Sequence, residues 1–458
     1  MRHKPGLCVA RDSGDTSYST ANSHFWESLL CVFNGIGRIC TMHSGIVHCE
    51  ALIYRSSCVG MCSSSREMRL MKKKPANPLG GVRVLEFGHV AAGPFTGMLL
   101  ADLGADVVKV EPASGDQMRA WPPLRDVDGE EFSYNFASLN RNKRSIVADL
   151  KDPVELEAVL RLVSQADVLI ENYRPGSMDR LGLGFDAVTK DHRGLVYCSI
   201  SGFGRTSPYS NLAAFDLVVQ GMSGMMSVTG DPDGDPAKCG VPVGDFVTAL
   251  YAALTISAAL RSVDKTGKSH FIDCSMLDSL IAIAALQTSE YDGTGAAPQR
   301  LGSRHPRNAP YQAFRGMDKG FTVAAGNDNL WRRTCEVTSL EELVDDPRFV
   351  SQTLRTQNQG QLESLLNGVF GTRPAAHWIA QLQLRGVPAG PINTFEDILA
   401  DDHCKVSGLV DEVDVPGLGP LISVGYPARI DSAAPRRDLL PPRLGEHTAE
   451  IHREWNSA

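Results

Sequence analysis

The sequence has no uncharged apolar run longer than Phe246 to Leu260, 15 residues, where a membrane-spanning helix needs roughly 20. No membrane partner is therefore expected. It contains no G-x-x-x-x-G-K-[ST] element, no G-x-G-x-x-G after its first predicted strand, no H-E-x-x-H and no G-x-S-x-G. A P-loop NTPase, a dinucleotide dehydrogenase, a zincin and a serine hydrolase each lack their main signal. Gly202-Phe-Gly204 is a lone G-x-G and fits a turn. No C-x-x-C pair of the zinc-site kind occurs among the 11 cysteines, so no metal is expected. An excess of positive charge is also missing. The net charge of −8 argues against a nucleic-acid partner and leaves room for a local basic pocket.

What is present is the composition of a globular chain. With 43% apolar and 21% charged residues over 458 positions, disorder is excluded as a whole-chain state and two or three domains are expected. Residues 1–77 differ from the rest. They hold 10 Lys+Arg against 5 Asp+Glu and six of the cysteines, leaving −13 on the remainder. Cys31, Cys40, Cys49 and Cys58 stand nine apart, but their neighbours do not repeat. The segment reads as an extension, disordered or a non-native start, ahead of a start at Met68 or Met71. The scattered Cys198, Cys239, Cys274, Cys335 and Cys404 suit reduced core thiols. A cytoplasmic location is expected, with the mitochondrial matrix as the alternative if residues 1–77 act as a transit segment.

From residue 78 onward, strands alternate with helical spacing. Val82 to Phe87, Asp106 to Glu111, Ser145 to Leu150, Asp167 to Glu171 and Leu195 to Ile200 read as strands, and Pro94 to Gly104 and Pro153 to Gln165 as helices. That pattern predicts an α/β fold built on a parallel sheet. Phe246 to Arg261 reads as a buried helix and Ser269 to Cys274 as a returning strand. The boundaries that follow are a large α/β domain over 78–285, a smaller α+β domain over 286–385, and a connector returning to the large domain over 386–458.

Two features carry candidate chemistry. Basic residues gather around the predicted strand ends: Arg141, Lys143 and Arg144, then Lys151, Arg174 and Arg180. Cations at that edge suit a phosphate-rich ligand, and a solvated rim of charge is the competing reading. Asp245, in Val241-Pro-Val-Gly-Asp245, precedes the long apolar helix, where N-cap is the ordinary role for Asp. The positive end of that helix also favours an ionised carboxylate, Gly244 leaves space for a substrate, and an ionised, accessible Asp can be a nucleophile.

The segments Pro78 to Pro94, Leu103 to Glu111, Asn140 to Ser145, Glu171-Asn-Tyr-Arg-Pro-Gly176, Val243-Gly-Asp245, Gly386 to Pro391 and Leu444-Gly-Glu-His-Thr448 stand in unbroken order. Together they resemble the family III CoA-transferases, also called the CaiB/BaiF family. Cys198 to Gly204 and Ala309 to Phe314 are most similar to the succinyl-CoA:glutarate members and less so to the formyl-CoA:oxalate members. The resemblance implies a Rossmann-like large domain with a smaller α+β domain and an interlocked homodimer with sites between the chains. Coenzyme A and acyl-CoA would be substrates, with no permanently bound cofactor.

The resemblance also implies roles. Asp245 would form an aspartyl-acyl anhydride and then an aspartyl-CoA thioester, passing CoA from an acyl-CoA such as succinyl-CoA to a small carboxylic or dicarboxylic acid. His89, Val90, Ala91, Ala92, Lys151, Asn172, Tyr173, Arg174 and Arg180 would contact CoA. A loop near Gly302 would serve as a lid, and Arg304 and Arg307 could pair with a distal carboxylate, a salt-bridged loop being the competing reading. The chain departs from relatives at three points: Pro112 stands where some place an Arg, Ala91 where formyl-CoA transferase has Gln, and Phe215 where related racemases place a His. A racemase-like enzyme and a CoA-binding protein without catalysis remain the alternatives.

Overall fold

A computed structural model of the protein describes residues 28–33, 36–43, 46–51, 77–127, 129–190, 192–435 and 439–456. The chain divides into two compact units, Met1–Lys72 and Lys73–Ala458. The predicted extension falls largely outside the described residues. Within it, Ser28–Phe33, Ile36–His43 and Ile46–Ala51 form a three-stranded antiparallel sheet.

The second unit is organised by six parallel strands: β1 (Arg83–Phe87), β2 (Asp106–Glu111), β3 (Lys143–Val147), β4 (Val168–Glu171), β5 (Val196–Ser201) and β6 (His270–Ser275). Their spatial order is β3-β2-β1-β4-β5-β6, the doubly wound order of dinucleotide-type folds. These strands read as near-continuous apolar runs because both faces are covered. Alternate residues feed two separate cores. Leu85, Val108, Leu169 and Tyr197 pack against one helical layer that includes Val159 and Leu162, and against Ile451 and Trp455 of the C-terminal helix Thr448–Asn456. Val84, Val107, Val168 and Val196 pack against Leu100, Ala252 and Ile256 on the other side.

Four helices matter for the site: α1 (Ala92–Asp102), α2 (Tyr134–Asn140), α3 (Asp216–Met222) and α4 (Val243–Thr266). Helix α4 is longer than its apolar pattern predicts, 24 residues, and among the described residues it alone is long and apolar enough to cross a membrane, with mean hydropathy 1.6. It lies against the sheet instead. Ala249, Ala252 and Ile256 are fully buried there, while Leu250 and Leu254 on its other side are exposed.

A third core belongs to residues 309–387. Phe314, Phe321, Phe370 and Trp378 pack between a three-stranded antiparallel sheet, Tyr311–Arg315, Gly320–Ala324 and Ala389–Pro391, and helices that include Asp328–Thr338 and Gln359–Phe370. Within the returning connector, Val410–Val415 and Gly419–Val424 form a hairpin.

Candidate functional site

The strand order reverses direction between β1 and β4, and the crevice at the carboxyl ends of such a pair is where open α/β sheets bind ligands. Here the loops leaving the two strands are tied together. The His89 N–H donates to Asn172 Oδ1 at 2.8 Å, and Asn172 Nδ2 donates back to the His89 carbonyl at 2.9 Å. The His89 and Tyr173 rings meet edge to face at 4.9 Å. Burial, and then the charge of Lys109, lower His89 below its usual value, so the imidazole is neutral at pH 7. Gly88 and Gly93 close the turn: a Cβ on Gly93 would lie 2.9 Å from Gly88 Cα. Between them Val90 holds φ at 62°, a left-handed conformation that costs a β-branched residue about 1–3 kcal/mol. Of the predicted contacts, His89, Val90, Ala91, Ala92, Asn172 and Tyr173 therefore form one constellation.

Beneath that loop lies a buried charge network that periodicity could not reveal. Lys109 pairs with Glu86 and with Asp116, each at 2.9 Å, and Lys143 pairs with Glu86 at 2.7 Å, all four side chains having no exposure. Burial would lower Lys109, but Glu86 and Asp116 outweigh it and hold the ammonium above its ordinary range. Burial dominates at Lys143 and pushes it down to about 8. Gly97 in α1 makes room for this network, since a Cβ there would fall on the Glu86 carboxylate.

Asp245 is not the helix cap that its position suggests. Pro242 occupies that place, and Asp245 is the third residue of α4, in its first turn. The cap is supplied from α3, where Asp216 Oδ1 accepts the Gly244 N–H at 2.8 Å while Oδ2 accepts from Gln220 Nε2 at 2.6 Å. Gly244 serves this close approach rather than substrate access: a Cβ there would lie 2.9 Å from Val219 Cγ2 and 3.0 Å from Asp216 Oδ1. The Asp245 carboxylate is half-buried with no hydrogen-bond or ion-pair partner among the described residues. Burial, and then the neighbouring Asp216 charge, push it up to about 7, against the helix field. Its neighbour Phe246 packs on Phe95 at 4.8 Å and joins the apolar cluster to which Val90 and Ala91 also belong, so the helix start carrying Asp245 shares a core with the switch-point loop.

The basic cluster divides in two. Arg141 forks onto Asp102 at 3.1 and 2.6 Å, and Arg144 binds Asp106, Glu450 and Glu454. With Lys143, these stitch the amino end of β3 to its neighbours and are not open to a ligand. Lys151, Arg174 and Arg180 are exposed, and none pairs with a carboxylate among the described residues. Lys151 follows β3, separated from β1 by β2, and the Arg180 guanidinium donates to Ser177 Oγ at 3.0 Å. Among the described residues no hydrogen bond joins these three side chains to the His89–Ala92 loop. Arg304 and Arg307 form ion pairs with Glu363 and Glu290, the salt-bridged arrangement. Gly302 donates its N–H to the Gly230 carbonyl at 3.0 Å, so that loop is tied to residues 230–235. Behind Pro112, Glu111 is occupied by Arg119 at 2.8 and 2.7 Å, whose guanidinium covers Phe136 at 3.7 Å. A cavity of about 790 Å³ lies beside that pair, walled by Phe132, Phe136, Lys143 and His447, and holds none of the predicted site residues.

Sequence reasoning missed Asp116, Asp216 and Glu171 as site-shaping groups. Glu171 ends β4 and is buried; burial pushes it up to about 7, opposed by Ser199 and the Tyr173 N–H. An Asp at or just before the start of a short helix, as Asp116 and Asp216 are, or a Glu closing an apolar strand, is the signal that could have found them.

Comparison with known proteins shows the family. The model of CoA-transferase family III matches residues 79–448. The succinate–glutarate CoA-transferase of Agrobacterium fabrum is 38% identical over 383 residues, 83% of this chain and 95% of that protein. Human succinyl-CoA:glutarate CoA-transferase is 37% identical, covering 82% and 86%, and the acetyl-CoA:oxalate CoA-transferase of Acetobacter aceti is also 37% identical, covering 79% and 97%. Among solved structures, a CaiB/BaiF family protein from Brucella suis superposes with a TM-score of 0.76 at 39% identity, covering 83% of this chain and all of that one. With a doubly wound sheet, a loop constellation at its switch point and a family match spanning both the sheet and the 309–387 core, the chain belongs to CoA-transferase family III.

Proposed function

We propose that the protein transfers coenzyme A from a donor acyl-CoA, succinyl-CoA foremost, to a small carboxylic or dicarboxylic acid through covalent intermediates on Asp245. The observation that carries this reading is the unpartnered Asp245 carboxylate, in the first turn of α4 and joined through Phe246 to Phe95 of α1, the helix that leaves the switch-point loop. In the first step a carboxylate oxygen of Asp245 attacks the thioester carbonyl, the C–S bond breaks, and CoA leaves as thiolate. The thiolate then attacks the Asp245 carbonyl of the mixed anhydride and expels the donor acid as carboxylate. The acceptor carboxylate attacks the aspartyl-CoA thioester and releases thiolate again. A final thiolate attack on the acceptor's acyl carbon forms the new acyl-CoA and restores Asp245. Every intermediate keeps an activated acyl group, so thioester energy is conserved if water is excluded.

His89 to Ala92, Asn172 and Tyr173 would bind the pantetheine and thioester end. Lys151, Arg174 and Arg180, exposed and without carboxylate partners, suit the phosphates. Succinyl-CoA is favoured as donor because two of the compared relatives carry succinate or succinyl-CoA in their names. The exposed apolar side chains of α3 and α4 support a homodimer that closes the site. Phe215 in place of an acid–base His weighs against racemisation. The test is to incubate the protein with succinyl-CoA and hydroxylamine and map the modified peptide. Asp245 hydroxamate is expected, and an unmodified Asp245 in a protein that exchanges CoA would overturn the mechanism.

A further inference from the structure

We infer that Asp116 is a positioning residue for CoA transfer, locking Val90 in its left-handed conformation so that the open N–H groups at the start of α1 face the substrate. This rests on the proposed function. Three consecutive residues of the loop are held by side chains from elsewhere. The Gly88 carbonyl accepts from Lys109 Nζ at 2.6 Å, His89 is clamped by Asn172, and the Val90 N–H is shared between the two Asp116 oxygens at 3.2 and 3.3 Å. Asp116 is itself over-determined. It pairs with buried Lys109 at 2.9 Å, accepts the Met118 N–H at 2.9 Å, and donates its own N–H to Glu111 Oε2 at 3.0 Å.

The consequence falls on the next residues. Ala91 is the N-cap of α1 with no side-chain capping bond, Ala92 and Gly93 open the helix, and Pro94 brings no donor. Unstrained, Val90 would leave the left-handed region, and the chain after it would turn the Ala91 and Ala92 N–H groups away from the crevice. The bond to Asp116 opposes that relaxation, and the ion pair with Lys109 keeps the carboxylate charged and fixed. A donor row set before the thioester arrives costs no reorganisation during the reaction.

The test uses the full chain and pairs Asp116→Ala with the double variant Asp116→Ala/Val90→Gly, because glycine enters the left-handed region without strain. Asp116→Ala is expected to lower kcat/KM for succinyl-CoA by about 30- to 100-fold, with KM rising about tenfold and kcat falling by the remainder, the scale of a substrate misplaced by about 1 Å. The double variant is expected to recover at least fivefold. A role confined to stabilising the fold predicts no rescue by glycine, so a double variant no better than the single one overturns the inference, as does Asp116→Ala within threefold of wild type. If Asp116→Ala does not fold, Asp116→Asn is read in the opposite sense: its amide oxygen still accepts the Val90 N–H, so activity within about fivefold of wild type is expected, and a loss of about 30-fold or more would overturn the inference. If the wild-type protein transfers no CoA, the proposed function fails separately. The inference is then read from CoA titration, where Kd is expected to rise at least tenfold in Asp116→Ala and fall back in the double variant; equal Kd values in the three proteins would sink it.

Discussion

Replacing Asp245 by Asn should abolish transfer and stabilise the protein, and the second effect should depend on pH. In an unfolded chain the carboxylate titrates near its ordinary 3.8; in the fold, burial and then the charge of Asp216 push it up to about 7. Ionising it in the folded state therefore costs free energy. That cost is absent below the lower value, grows between the two, and is complete above about pH 7. Taken at face value the rise corresponds to about 4 kcal/mol, and because the side chain is only half-buried, solvent screening reduces this to roughly 1–2 kcal/mol. Asn keeps the shape and loses the charge. For a chain of this size the gain appears as a melting-temperature increase of about 1–4 °C at pH 8, falling to about a third of that at pH 5, where little of the wild-type carboxylate is ionised in the fold. Parallel thermal melts at the two pH values, with acyl-transfer assays on the same preparations, measure both effects. A gain of equal size at pH 8 and pH 5 would mean that Asn acts through packing, and an Asn variant retaining more than about a thousandth of the activity would remove Asp245 as nucleophile.

The same titration sets the rate profile: kcat/KM should fall about tenfold per pH unit below about 7 and level off above it, and Asp216→Asn, which keeps an acceptor for Gly244 N–H, should move that limb to lower pH. A limb that does not move would show that Asp216 acts only as a cap. Gly244→Ala should push α3 and α4 apart, costing about 1–3 kcal/mol in denaturant melts and lowering kcat; a neutral substitution would contradict the close approach. Arg174→Ala combined with Arg180→Ala should raise KM for acyl-CoA about tenfold with little change in kcat, and an unaltered KM would place the phosphates elsewhere. Leu254→Asp, on the exposed side of α4, should convert a dimer to monomers in sedimentation and abolish transfer; a fully active monomer would refute closure of the site by a second chain.

The sheet was legible because its signal is local. Seven residues without exposure in Val168 to Glu171 and its neighbour β1 leave no way for these to be half-exposed strands, and the strand limits differ from their predicted ones by two residues or fewer except at β3. There the expected Ser145 to Leu150 is displaced to Lys143–Val147. The reason is chemical. Lys143 looks like a loop cation in sequence, but it enters the strand and is buried against Glu86, 57 positions earlier in the chain. Arg141 and Arg144 misled for the same reason, with carboxylate partners on α1 and at the start of β2. A cation's position tells that it lies near a strand end; only the register of the sheet tells whether an acid already answers it. Asp245 shows the complementary limit. Its place at a helix start was legible, but not that Pro242 begins the helix and that Asp216, on a separate helix, supplies the cap.

The proposed chemistry and the surface pose one problem, which the proposed homodimer would answer. Anhydride and aspartyl-thioester intermediates survive only in a dry site, yet the Asp245 carboxylate is only half-buried in the single chain. The two helices that bring Asp245 and Asp216 together also carry the exposed apolar side chains Phe215 at 71%, Leu217 at 55%, Leu250 at 53% and Leu254 at 67%. Covering such side chains yields about 1–2 kcal/mol each, a driving force located on the elements whose chemistry needs the cover. Burial of that face by a second copy would also raise the Asp245 pKa further unless the partner or the bound CoA brought positive charge or hydrogen-bond donors to it. The nucleophile would thus become fully competent only when the assembled site is occupied, when the donor row at Ala91 and Ala92 also has its substrate.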